Sequence, residues 1–360
     1  NIFILIDGTW NDETGAGSDG LTTNVVKLYK CLKKVPGKQS TWYFRGVGND
    51  DENGIMGRLM GGMFGASEKN IRNFAYSTLA KEYCRGDRIF IFGFSRGAAI
   101  ARLLAGQIHE RGIPASIEIT TDAQENKGTN HIETRYVSHK ATSPELVHPN
   151  VEFLGVWDTV VAMGVKGMFK NFSVAPNVQK AVHLVAIDET RTLFNPTLMN
   201  HNPDVVEEIW MPGVHSDVGG SYREDVLAQH SLYCMIEKLK KRADAGGYDI
   251  WFNQEEIIQY TLPQISEEKA IFHFFGLGTL KGIRKIRALK NDKEVEANVA
   301  QPCIHQSVFV LQKSQEVYSL VDLQLEGKKE KVKTELPIIY NPPNIRKLNK
   351  HYHVDKTGYD

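Results

Sequence analysis

The apolar positions of this chain fall into short dense runs divided by glycine, polar and charged turns, and two spacings alternate along it. "IFILI" (2–6), "TWYF" (41–44), "RIFIF" (88–92), "VEFLGVW" (151–157) and "VEEIWMPG" (206–213) are rich in β-branched and aromatic residues and end in turn residues. Each reads as a buried strand. Between them, apolar residues recur every three or four positions, which predicts helices over "TNVVKLYKCLKKV", "SEKNIRNFAYSTLAKEYC" (67–84), "AAIARLLAGQI" and "LAQHSLYCMIEKLKKR". Thr23 or Asn24 can cap the first of these, with Val25, Leu28 and Leu32 as its buried stripe. "NVQKAVHLVAI" also reads as a helix, placing His183 inside it and Asp188 at its end. Strands alternating with helices predict an α/β fold, a mostly parallel sheet covered by helices on both faces.

Two regions depart from the alternation. Residues from about 112 to 150 are polar and poorly periodic and read as an insertion. In the C-terminal hundred residues, "KKEKVKTELP" reads as a solvated charged stretch, "YNPPN" as a proline-stiffened end and "SVFVL" as a further strand. The chain is read as one domain over 1–345 with a C-terminal tail at 346–360.

Composition narrows the functional classes. Forty-three basic residues balance forty-three acidic ones among 360, with 41% apolar and 24% charged residues, which is a globular composition with no global field toward nucleic acid or an anionic membrane. Lipid contact would therefore be local and peripheral. Cys31, Cys84, Cys234 and Cys303 lie far apart without a C-x-x-C pair, so they are expected to be reduced core residues, with neither a metal site nor a disulfide framework. No apolar run approaches the ~18 residues of a membrane span, and the first residues lack a signal peptide's pattern, so a cytoplasmic site of synthesis is expected.

In an open parallel sheet, ligands and reactive groups collect beyond the carboxyl ends of the strands. Asp7, Ser95, Asp158 and His215 each follow a predicted strand, so all four should project from one edge. Ser95 lies in "GFSRG", where a strand runs in, a helix leaves, and Gly93 and Gly97 remove the side chains that a sharp turn would crowd. A serine hydroxyl needs a base, and the base an orienting carboxylate; His215 and Asp158 can supply them in the chain order Ser…Asp…His that α/β-hydrolases use. Asp217 and Asp188 compete for the acid's place, Asp217 being read as a loop-structuring group and Asp188 as a cap. An oxyanion hole would use the Arg96 backbone N–H and a second from Gly8, Thr9 or Trp10, with Asp7 fixing that turn.

These segments together resemble the DUF2235 family of α/β-hydrolase-domain proteins, which includes the Tle1 phospholipase effectors of the type VI secretion system. The matching stretches are "DGTWND", "TNVVKLY", "YFRGVG", "GDRIFIFGFSRGAAIARLLAG", "FLGVWDTV", "AIDETRTLFNPTL" and "WMPGVHSDVGGSY", with weaker traces in "IHQSV" and "YNPPN". The resemblance implies a nucleophile at Ser95, an acid at Asp158 and a base at His215, agreeing with the strand-end reading. It also implies a phospholipid substrate, no cofactor, delivery out of the cell without a signal peptide and, for a secreted effector, a cognate immunity protein as partner.

The expected function is a serine esterase or lipase, with phospholipid as first-choice substrate. "GIMGRLMGGMFGA" (54–66) sets Met56, Leu59, Met60, Met63 and Phe64 among five glycines, a loop that could cover a lipid site or simply pack its methionines inward. Two rivals stay open. One is a metal-dependent phosphohydrolase with Asp7, Asp158, His215 and Asp217 as ligands, and the other a catalytically silent hydrolase fold used for binding.

Overall fold

The structure is a computed structural model that describes residues 1–8, 22–46, 64–126, 131–161, 173–265, 270–273, 284–295, 300–324, 331–348 and 351–359. Eight strands form its central sheet: β1 (Ile2–Ile6), β2 (Ser40–Phe44), β3 (Ile89–Phe94), β4 (Val151–Trp157), β5 (Ala181–Ala186), β6 (Val206–Met211), β7 (Cys303–His305) and β8 (His353–Asp355). Their order is β2-β1-β3-β4-β5-β6-β7-β8 and every pairing is parallel. All carboxyl ends therefore open on one edge.

Alternation along each strand builds the two faces. Ile2, Ile4, Ile6, Ile89 and Ile91 pack with α2 (Phe64–Glu82) and α3 (Arg96–Arg111), whose Leu79, Ile100 and Leu104 are fully buried. Phe3, Leu5, Phe90 and Phe92 face the other way, against α1 (Asn24–Cys31) and α5 (Val226–Gly246). Phe3 stacks on Phe90 at 4.4 Å between ring centroids, and truncating such a buried ring costs about 3–5 kcal/mol. A third cluster joins Val185, Ile187 and Trp210 to Phe272, Ile304, Val317 and Tyr340, so the C-terminal segment is packed onto the β5–β6 side of the sheet.

The structure differs from the sequence reading in three places. "AVHLVA" is strand β5, buried at all six positions between β4 and β6, where a short apolar run carries no period that separates helix from strand. His183 accordingly sits in the sheet, its Nε2 accepting from Thr159 N at 3.0 Å and its Nδ1 paired with Glu208 Oε1 at 2.7 Å. "SVFVL" is instead helical, within Gln306–Leu311, because His305 caps it by accepting from Ser307 N at 3.2 Å. Residues 346–360 are more than a tail, since β8 pairs with β7 at the sheet's margin. The polar stretch at 112–150 contains a long antiparallel hairpin, Ile117–Asn126 with His131–Ala141.

Candidate active site

Ser95 is the single residue between β3 and α3, with φ 57° and ψ −121°. A non-glycine residue there stores roughly 1–3 kcal/mol of backbone strain, which neighbouring structure must impose. It does so by proximity. A Cβ on Gly93 would lie 2.5 Å from the Gly97 carbonyl oxygen, and one on Gly97 would lie 2.3 Å from the carbonyls of Ile6 and Asp7. Only glycines let the turn close and α3 start against the end of β1. Ser95 N donates to Trp157 O at 3.0 Å and Val160 N donates to Ser95 O at 3.3 Å, so the turn is also laced to the loop that holds Asp158.

Asp158 leaves the end of β4 with φ 36° and is fully buried. Its Oδ2 accepts from His215 Nδ1 at 2.6 Å and its Oδ1 from Ala186 N at 3.0 Å. Both oxygens also receive Arg284, whose Nη1 donates to Oδ1 at 2.6 Å and Nη2 to Oδ2 at 2.9 Å. Burial alone would raise this carboxyl, but the Arg284 charge and the His215 bond hold it well below the usual range. Breaking such a buried pair costs roughly 3–5 kcal/mol.

His215 opens a single helical turn, α4 (His215–Gly219), after β6. Because the Asp158 carboxylate can only accept, Nδ1 carries the proton and Nε2 is left as the basic nitrogen. Phe94 and Phe194 flank the ring at 4.6 and 5.0 Å. Burial depresses its pKa below the ordinary imidazole value, against the opposing pull of Asp158. The Ser95 hydroxyl makes no hydrogen bond to His215; contacts of this kind commonly tighten only when substrate is bound.

The expected oxyanion donors fare unequally. Asp7 does organise its turn: Oδ1 accepts from Gly8 N at 2.6 Å, and Oδ2 from the Thr23 and Tyr43 hydroxyls at 2.8 and 2.7 Å. The Gly8 N–H is thereby engaged by the Asp7 carboxylate within its own turn. Thr9 and Trp10 lie outside the described residues, as does most of the 54–66 loop. Arg96 is the first residue of α3, directly after Ser95.

Neither competing carboxylate touches the His215 ring. Asp217 Oδ2 accepts from Val214 N at 2.9 Å and Oδ1 pairs with His273 Nδ1 at 2.7 Å. Asp188 follows a strand rather than a helix and accepts from Gly213 N at 2.7 Å and the Tyr340 hydroxyl at 2.9 Å. Both brace the 213–217 turn. Glu189, fully buried and forked by Arg191, adds a third brace by accepting from His215 N at 3.3 Å.

Asp7, Asp158, His215 and Asp217 do not gather as ligands around one point; each carboxylate has its own separate partners. Among the described residues the close group of metal-type ligands is Cys234, His305 and Asp355, near the β7–β8 margin. Cys31 and Cys234 are buried as expected, whereas Cys84 is exposed. A cavity lined by Arg102, Gln107 and Arg111 of α3 and by residues 173–176 contains none of the strand-end residues.

Arg284, His273 and Tyr340 were not legible as site residues. All three come from the C-terminal segment, and "KGIRKIRALK" reads as an ordinary basic run; only the fold brings Arg284 to a carboxylate 126 positions earlier. Glu189 carried a weak signal, since it follows the end of β5.

Comparisons with known proteins place the chain in a family. A family model described as the type VI secretion system phospholipase effector Tle1-like catalytic domain matches residues 1–238. An uncharacterized protein of Saccharomyces cerevisiae, YEL023C, is 28% identical over 221 residues, covering 54% of this chain and 32% of its own length. Among solved structures, an uncharacterized protein from Pseudomonas aeruginosa aligns with 71% of this chain and 47% of its own at 21% identity and a TM-score of 0.44. The Tle1 effector bound to the VgrG spike of the type VI secretion system aligns with 61% of this chain and 50% of its own at 20% identity and a TM-score of 0.35. The chain thus spans about a third to a half of these proteins. Among the described residues, no helix is long and apolar enough to cross a membrane.

Proposed function

The chain belongs to the Tle1-like phospholipase effector family through its catalytic domain, and from that premise we propose that it is a serine hydrolase that cleaves carboxylic esters of phospholipid through an acyl-enzyme at Ser95. The observation that carries this reading is the buried His215–Asp158 pair, 2.6 Å apart, on the sheet edge where Ser95 occupies a strained strand-to-helix turn. In the proposed cycle His215 Nε2 takes the Ser95 proton as Oγ attacks the ester carbonyl, and returns it to the departing alcohol. Asp158 holds the ring's tautomer and offsets the imidazolium charge, and a water activated by His215 then releases the acyl group. The Arg96 N–H, at the start of α3, is the first donor to the developing oxyanion.

Phospholipid enters from the family, as does delivery out of the cell and recognition by an immunity protein. The direct test is labelling with a fluorophosphonate, wild type against Ser95→Ala, together with fatty-acid release from phospholipid vesicles. Labelling that disappears in Ser95→Ala, with fatty-acid release by the wild type, is expected. A folded wild type that never labels would end the serine-hydrolase reading; labelling without fatty-acid release would end only the phospholipid part.

A further inference from the structure

Arg284 lies beyond the residues matched by the catalytic-domain family and still reaches the centre of the site. Its side chain is 2% exposed. Besides both oxygens of Asp158, its guanidinium donates to the carbonyls of Ala186, at 2.8 Å, and Phe194. Its own carbonyl accepts from Asn344 Nδ2 at 3.3 Å, and the same amide donates to Ile187 O at 3.0 Å, which pins the segment to the end of β5. The guanidinium is therefore fixed from several sides and makes a planar fork on the carboxylate that receives His215.

A hydrolase acid has two tasks, keeping the base's ring in one tautomer and stabilising it when protonated. A bidentate guanidinium bears on both. Granted the Ser95 reading, we propose that Arg284 is a positioning residue of the site: its fork fixes the Asp158 carboxylate so that Oδ2 meets His215 Nδ1, and its charge weakens the hold of Asp158 on a second imidazole proton. The other charged groups facing His215 leave this role to Arg284. Glu189 accepts from the His215 backbone and is itself paired with Arg191, so those two charges largely offset one another. Asp217, on the same turn, is engaged by His273. Arg284 is thus the cation that answers the Asp158 carboxylate, and with that carboxylate offset, burial of the ring between Phe94 and Phe194 keeps the base unprotonated into mildly acidic solution.

The test uses the full chain, measuring the pH dependence of Ser95 labelling by a fluorophosphonate and of kcat/KM on a soluble ester. Wild type is compared with Arg284→Gln and Arg284→Lys, with folding followed by circular dichroism. The wild-type acidic limb should lie below the free imidazole value of 6.5. Arg284→Gln should move that limb upward by about one unit, the size of an ordinary charge effect on a neighbouring group, and lower kcat about 10- to 100-fold through a misplaced acid. Arg284→Lys keeps the charge but loses the fork, so its limb should stay near wild type while kcat falls about tenfold or more. A folded Arg284→Gln whose limb does not move, or an Arg284→Lys with wild-type kcat, overturns the proposal. If Arg284→Gln does not fold, Arg284→Lys decides it. Absence of any labelling in wild type is the separate failure of the serine-hydrolase reading, and this proposal falls with it.

Discussion

Two histidines occupy neighbouring positions in this fold, each with Nδ1 on a buried aspartate, His215 on Asp158 at 2.6 Å and His273 on Asp217 at 2.7 Å. Judged by that bond alone, they are the same device. The second ring nitrogen separates them. His273 Nε2 meets Glu224 Oε2 at 3.3 Å, and its ring stacks on Tyr222 at 3.7 Å. Burial would lower its pKa, but two carboxylates outweigh burial and raise it. His215 faces one carboxylate, already answered by Arg284, and sits between two phenylalanine rings, so burial prevails and its pKa falls. A histidine whose two nitrogens are both committed is a charged brace. One kept neutral with Nε2 uncommitted can take a proton.

The largest expected effect separates these two pairs by rate. Ser95→Ala, His215→Ala and Asp158→Asn should each lower kcat by roughly 10³-fold or more, because the three act as a unit. His273→Gln and Asp217→Asn, in protein that folds, should cost less than about tenfold, since they support the 213–217 turn without touching the His215 ring. Kinetics on one soluble ester for all five variants suffice. An Asp217→Asn as inactive as His215→Ala, beside an active Asp158→Asn, would reverse the roles assigned to the two aspartates.

A second contrast is thermodynamic. The folded-state pKa of His273 is raised above its unfolded value of 6.5, so the stability it contributes is fully present below 6.5 and is lost as pH rises through the folded value. Each unit of elevation corresponds to about 1.4 kcal/mol. The Tm advantage of wild type over His273→Gln should therefore be widest near pH 6 and narrow toward pH 9. A difference that stays constant across that range would show His273 to be a packing residue and not a charged brace.

The sequence made one half of this comparison visible and concealed the other. Asp7, Ser95, Asp158 and His215 could be placed on one edge because apolar runs mark buried parallel strands, and position after such a strand is a local property of the chain. The partners that distinguish a base from a brace are not local. Arg284, His273 and Tyr340 lie in a segment whose strands are short and whose charges resemble solvent-facing ones, and their roles exist only once the C-terminal chain has packed against β5 and β6. β5 itself was misread, because a strand buried on both faces has no alternation to show. The capture of the Gly8 N–H by Asp7 depends on a side-chain rotamer, which no residue pattern encodes.

The smallest effect expected concerns Asp188, which holds the turn bearing His215 at Gly213, next to the Val214 anchor of Asp217. Its carboxyl accepts from Gly213 N and from Tyr340, and burial, reinforced by the nearby charge of Asp217, raises its pKa to about 7. The folded value thus stands above the unfolded value of 3.8, so the contribution of protonated Asp188 is complete below pH 3.8 and disappears as pH climbs through about 7. Asn at this position retains an oxygen for both donors but cannot ionise. Asp188→Asn should therefore remove part of the decline in stability between pH 4 and 7, by at most about 1.4 kcal/mol per unit of elevation. Its kcat should stay within about threefold of wild type, since the Gly213 anchor survives. Chemical denaturation of both proteins at pH 4.5, 6 and 7.5 measures the difference directly. Parallel stability curves would mean that Asp188 is ionised throughout this range and that the turn carrying His215 tolerates two adjacent negative charges; convergence of the curves only at the acidic end would mark ionisation of Asp188 as the cost that the fold accepts to keep the turn in place.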